Sequence, residues 1–180
     1  MFGAGPAASV VPTKPDDLEV EMNSTDTIST TPAGSGLAHA RARNESTFRA
    51  SAIALYSGDI DGFLLHWSPE PRYTVAYPVD GFPAVVEGRD QFRMLFGGFT
   101  AAASRIEVDD VRIHQTDDPD VVIVEEHMSA DLHDGGSYEN DLIIRVTFRD
   151  GLIHDMLEYY GQVAHQQLAD RVLAAAQAQS

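Results

Sequence analysis

Apolar positions are densest between Ser137 and Tyr160, where SYENDLIIRVTFRDGLIHDMLEYY reads as two strands joined at Arg149-Asp150-Gly151. Asp-Gly tolerates the positive φ angles of a two-residue hairpin, and apolar residues flank it on both sides. Period-two alternation puts Tyr138, Asn140, Leu142, Ile144, Val146 and Phe148 on one face of the first strand. In the second strand it puts Leu152, His154, Met156, Glu158 and Tyr160 on one face, and Ile153, Asp155, Leu157 and Tyr159 on the other. No face is cleanly polar, so the hairpin is expected to be covered on both sides, by helices on one and by another sheet or subunit on the other.

Upstream, Phe48, Ala52, Leu55 and Tyr56 recur at helical spacing and predict a helix over about 40–57, stopped by Gly58. Asp59 is the expected N-cap of a shorter helix with Ile60, Phe63, Leu64 and Trp67 on one side. Pro69 and Pro71 are expected to break the chain before a short strand, Tyr73–Tyr77. A third helix carries Phe92, Leu95, Phe96 and Phe99. The strand Arg105–His114 changes parity at Asp109-Asp110, which predicts a β-bulge. In the strand Val121–Leu132, one face carries Val121, Ile123, Glu125, His127, Ser129 and Asp131. The stretch from Gln162 to Ser180 reads as a loosely periodic helix. Residues 1–38, rich in Ala, Gly, Pro, Ser and Thr, read as a disordered tail before a single domain over 39–180.

Composition removes several classes of function. With 180 residues and 43% hydrophobic content, one core is the natural solution. Lys and Arg number 12 against 28 Asp and Glu, a net charge of -16, so neither nucleic acid nor an anionic membrane surface is an expected partner. The absence of cysteine excludes thiolate chemistry and disulfides. No apolar run reaches the roughly 20 residues of a membrane span, and the N-terminus lacks a secretory pattern, so a cytoplasmic location is expected. Gly3–Ala8 mimics part of a dinucleotide fingerprint without a strand before it, and no cofactor is expected. Glu125, Glu126 and His127 alternate across a strand and cannot converge on one ion, so no metal is expected either.

The order of elements, with Ser57-Gly58-Asp59-Ile60-Asp61-Gly62, Val86-Glu87-Gly88-Arg89-Asp90, Tyr138-Glu139-Asn140, Arg149-Asp150-Gly151-Leu152-Ile153 and Glu158-Tyr159, resembles the nuclear transport factor 2-like superfamily, most closely its SnoaL-like branch. Val111–Pro119, Val124-Glu125 and Tyr138-Glu139-Asn140 are similar to the phenazine-biosynthesis A/B type proteins. The resemblance covers about 41–168. It implies an α+β fold in which three N-terminal helices close a cone-shaped, curved, mixed or antiparallel sheet. Two departures bear on chemistry. The place of the ketosteroid isomerase base is taken by Tyr77, and that of its hairpin acid by Arg145, which disfavours that mechanism. The Glu of the phenazine-type proteins matches Glu158, whereas their His falls near Leu95.

Glu158 is accordingly the first candidate acid/base, since a carboxyl desolvated inside a curved sheet acquires a raised pKa. His154 and His127 are candidates to replace the missing His if Glu158 and Glu125 both face inward, and Tyr77 is a further catalytic candidate. Asn140, Arg145 and Glu125 are candidate substrate contacts. Tyr56, Trp67, Phe92, Phe96 and Met156 are candidate pocket lining, or equally an ordinary core. The helical histidines His66 and His165 carry the least functional weight. Two functions remain open: a cofactor-independent acid/base enzyme acting on a carbonyl-bearing or polyketide-like small molecule, and a non-catalytic ligand-binding or protein-interaction module. A homodimer is expected through the outer sheet face, where Ile143, Ile153, Leu157 and Tyr159 are too apolar for water.

Overall fold

The structure, a computed structural model, describes residues 33–178. In chain order it contains α1 (Ala33–Tyr56), α2 (Ile60–Leu65), β1 (Trp67–Val75), β2 (Val85–Glu87), α3 (Arg89–Ala102), β3 (Ala103–Gln115), β4 (Val121–Leu132), β5 (Ser137–Arg149), β6 (Leu152–Tyr160) and α4 (Gln162–Ala178). The six strands form one open sheet in the order β2-β1-β6-β5-β4-β3. Only the β1–β6 pair is parallel, so the sheet is mixed. The expected tail ran to residue 38, but α1 already begins at Ala33, and residues 1–32 lie outside those described.

The β5–β6 hairpin is the spine of the sheet. Asp150 and Gly151 adopt φ values of 54° and 82°, the paired positive angles of a type I′ turn, whose twist matches that of the flanking strands. Along β5 burial alternates residue by residue, with Tyr138, Asn140, Leu142, Ile144, Val146 and Phe148 inward. The expected bulge in β3 is present: pairing with β4 slips between Asp109 and Arg112, and Asp110 takes a φ of 49°.

Two strands depart from expectation. β1 starts at Trp67 and runs through Pro69 and Pro71 instead of beginning at Tyr73. Its register against β6 jumps between Trp67 and Arg72, so the prolines, which have no N–H to give, sit in the irregular stretch where the ladder does not need one. β6 contains a bulge of its own. Thr147 pairs with Asp155 while the adjacent Phe148 pairs with Ile153. His154 is the extra residue, and the parity of β6 changes across it, so Ile153 joins Met156 and Tyr160 on the buried side.

Helices α1–α3 cover the concave face. Trp67 and Phe92, both 0% exposed, meet edge to face with ring centroids 4.7 Å apart, and Phe63 and Phe96 extend the cluster. Asp59 caps α2 by accepting a 2.8 Å bond from the Gly62 amide. Among the described residues nothing covers this part of the outer sheet face: Ile143 is 49% exposed and Tyr159 39%. Among the described residues no helix is long and apolar enough to cross a membrane.

Candidate active site

Between the concave sheet and the helices lies a cavity of about 100 Å³, walled mainly by Phe48, Leu55, Phe63, Phe96, Phe99, Met128, Ile144 and Met156. Its polar groups come from five elements: Ser51 and Tyr56 of α1, Tyr73 of β1, Tyr138 of β5, Glu158 of β6 and His165 of α4. A few polar groups converging in an apolar concavity is the usual form of a small-molecule site.

Glu158 sits opposite Ile144 of β5 and Val75 of β1. The Tyr73 hydroxyl donates a 3.1 Å hydrogen bond to its Oε2. Burial pushes the carboxyl up to about 7, against the steadying effect of the Tyr73 bond and with help from the charge of Glu126. The same burial, with the carboxylate beside it, holds the Tyr73 phenol well above its ordinary range, so Tyr73 remains a donor. An acid near 7 is about half ionised at neutral pH, which suits it both to take and to return a proton.

A second carboxyl, Glu126, faces inward and was missed by the sequence reading. It is 4% exposed and accepts a 2.6 Å bond from the Tyr56 hydroxyl, while its Oε2 has no partner among the described residues. Burial raises its pKa, again opposed by the tyrosine bond. The signal was in β4 itself: Met128, Ala130 and Leu132 are apolar where His127, Ser129 and Asp131 are polar, and Glu126 shares the parity of the first set. His165 was also passed over. It is 7% exposed, and burial lowers it to about 4, so the ring is neutral.

The same parity moves other candidates to the outside. His127 lies on the outer face with Nδ1 2.8 Å from Asp141 Oδ1, a contact that raises its pKa. Glu125 is beside it, 3.8 Å from Arg112 and 3.4 Å from His114. Arg145 also points outward and pairs with Asp155 at 3.2 Å. His154, displaced by the β6 bulge, bonds Ser68 Oγ through Nδ1 at 3.1 Å and does not line the cavity. Tyr77 lies beyond the end of β1, 57% exposed, in a T-shaped contact with Tyr159. None of these five meets Glu158 in the cavity. Asn140 does face inward, but its amide is committed, accepting from Gly161 N at 2.7 Å and donating to Gly161 O at 3.1 Å and to Tyr138 Oη at 3.0 Å. Trp67 and Phe92 form the core beneath the cavity, whereas Tyr56, Phe96 and Met156 line it with Glu158. Among the described residues no cluster of His, Asp and Glu could hold a metal ion.

The fold is shared with solved structures. A protein classed as an isomerase from Bacillus subtilis superposes with a TM-score of 0.66 at 16% identity, covering 71% of this chain and 93% of that one. A phenazine biosynthesis-related protein from Pseudomonas aeruginosa gives 0.60 at 18%, covering 72% and 82%. A protein classed as a polyketide cyclase from Xanthomonas campestris pv. campestris gives 0.60 at 20%, covering 74% and 98%. With an NTF2-like protein from Burkholderia xenovorans LB400, which superposes with a TM-score of 0.57 at 15% identity and covers 71% of this chain and 95% of that one, these likenesses establish a nuclear transport factor 2-like fold. No curated protein matches the chain. The SnoaL-like domain family matches residues 29–156, a span from α1 through most of β6, and the chain belongs to that family.

Proposed function

We propose that this protein is a cofactor-independent acid/base enzyme of small-molecule, secondary-metabolite biosynthesis. It acts on a carbonyl-bearing, polyketide-like intermediate held in the cavity. One observation carries the reading: the Glu158 carboxyl lies in an apolar cavity, oriented by Tyr73 and held near a pKa of 7. As carboxylate it takes a proton from the carbon next to the substrate carbonyl, and the C–H electron pair moves into an enolate. Return of that proton to a different carbon is isomerisation; attack of the enolate carbon on a second carbonyl, whose oxygen then takes the proton from Glu158, is cyclisation; and loss of a β-hydroxyl, protonated by Glu158 as it leaves as water, is dehydration. Each begins with the same transfer. Family membership and the polyketide cyclase and phenazine-related neighbours support this range of reactions.

The first step is testable without the natural substrate. In D₂O the protein is expected to speed deuterium incorporation at the carbon next to the carbonyl of 1-tetralone, read by proton NMR. Bound ketone with no incorporation above buffer would contradict the proposal.

The outer sheet face gives a second expectation, a homodimer. Ile143 and Tyr159 on the sheet and Tyr77 beside them are exposed together, an apolar patch that a second copy of the chain would cover. Sedimentation equilibrium is expected to give twice the chain mass, and Ile143→Asp to give the monomer. A monomeric wild-type protein would remove this expectation.

A further inference from the structure

Beside the cavity lies a second space of about 160 Å³, and the two are divided by side chains that line both: Leu95 and Phe99 of α3, His165 and Leu168 of α4, and Phe82. Gly81, Pro83 and Leu173 line the second space alone and are exposed, so it lies on the surface side of that partition. Every other member of the partition is carried by a helix. Phe82 belongs to the loop 76–84 between β1 and β2, and its ring meets that of His165 in a T-shaped contact at 4.7 Å.

The loop is fastened unevenly. Its ends are held in the sheet, where Ala76 N donates to Glu158 O at 2.9 Å and Val75 N donates to Ala84 O at 3.0 Å. Between them, among the described residues, the hydrogen bonds from 77–83 to the rest of the chain are both made by one side chain. Gln166 of α4 accepts from Asp80 N at 2.8 Å through Oε1 and donates to Asp80 O at 3.1 Å through Nε2. The helix is the fixed partner: Asn140 holds Gly161 at its start by a pair of bonds, and Arg171 pairs with Asp134 at 3.0 Å. Protein interiors leave few voids larger than a water molecule. A space of this size between loop and helix therefore means that little apolar contact joins them, and the Gln166 clasp supplies much of the attachment.

We infer that Phe82 is a gate between the surface space and the cavity, carried on the 77–83 strap and held shut by Gln166, and that an apolar ligand passes it to reach Glu158. The family match ends at residue 156, before α4, so the clasp lies beyond the matched domain. This rests on the cavity binding a small molecule, and on no reaction at Glu158.

The probe is 1-aminoanthracene, an apolar fluorescent dye, mixed with the whole protein in a stopped-flow instrument. Its arrival is read by energy transfer from Trp67, the single tryptophan, which packs against Phe63 in the cavity wall. Loss of the two clasp bonds in Gln166→Ala is expected to raise the association and dissociation rates together by about fivefold to tenfold. Affinity should stay nearly unchanged, because a gate sets the speed of passage in both directions. In Phe82→Ala the gate is gone, and adding Gln166→Ala is expected to change neither rate further. The chain has no cysteine, so Asp80→Cys with Gln166→Cys can be bridged by a bis-methanethiosulfonate linker. Bridging is expected to slow uptake at least about tenfold, with recovery when dithiothreitol cuts the bridge. Unaltered rates in Gln166→Ala or in the bridged protein would overturn the gate and leave the binding site standing. A changed affinity with an unchanged association rate, the mark of a merely structural Gln166, would also overturn it. A wild-type protein that takes up no dye would overturn the gate and the binding site together, whereas gated uptake by a protein that exchanges no ketone protons would refute the proposed reaction alone.

Discussion

Glu158→Gln is expected to slow deuterium incorporation into 1-tetralone by at least about 10²-fold at about pH 8, the scale of a lost general base. The substitution keeps the shape of the side chain and an oxygen for the Tyr73 hydroxyl, so binding and fold should persist while proton uptake at this position does not. In the wild-type protein the same carboxyl sets the pH profile. With a pKa near 7, it is protonated and inactive as a base below that value. The rate should therefore rise with pH and level off above it. An exchange rate in Glu158→Gln equal to that of the wild-type protein would remove Glu158 from the reaction.

The second large effect is on stability. Folding takes Glu158 from an ordinary value near 4.5 to about 7, so between those pH values the folded chain keeps a proton that the unfolded chain has lost. The stability this contributes is complete below about pH 4.5 and is lost as pH rises through 7. At about 1.4 kcal/mol per pH unit the change is about 3 kcal/mol. Gln has no proton to lose. The unfolding free energy of Glu158→Gln relative to wild type is thus expected to grow by about 3 kcal/mol between about pH 4.5 and pH 8, measured by urea denaturation. The other carboxyls, Glu126 among them, are common to both proteins and largely cancel in the difference. A difference independent of pH would mean that Glu158 is solvated in the folded chain.

Much of the fold was legible because local chemistry and long-range packing agree. Asp150-Gly151 has one comfortable use between alternating strands, and the parity change at Asp109-Asp110 marks the β3 bulge directly. The β6 bulge left no such mark. Leu152 to Leu157 mixes apolar and polar residues in a way that fits either parity, and the register that displaces His154 is set by pairing with β5 and β1. In β4 the apolar run Val121–Val124 hides the parity, and assigning Glu125 inward exchanged the roles of two adjacent carboxylates. That single step also carried His127 to the wrong face. Glu158 was found because its parity agrees with its resemblance to the glutamate of the phenazine-type proteins, although the family match itself ends at residue 156. His165 was not, because α4 has weak periodicity and its ring meets Tyr160, Phe82 and Tyr138 only once the helix has docked.

The most direct measurement is a ¹³C NMR titration of the Glu158 carboxyl in the purified protein, with and without 1-tetralone. A pKa near 7 that moves when the ketone binds is the result expected of a desolvated acid/base in a working cavity. A pKa in the ordinary glutamate range near 4.3, unmoved by the ketone, would make Glu158 a solvated carboxylate and would contradict the assignment.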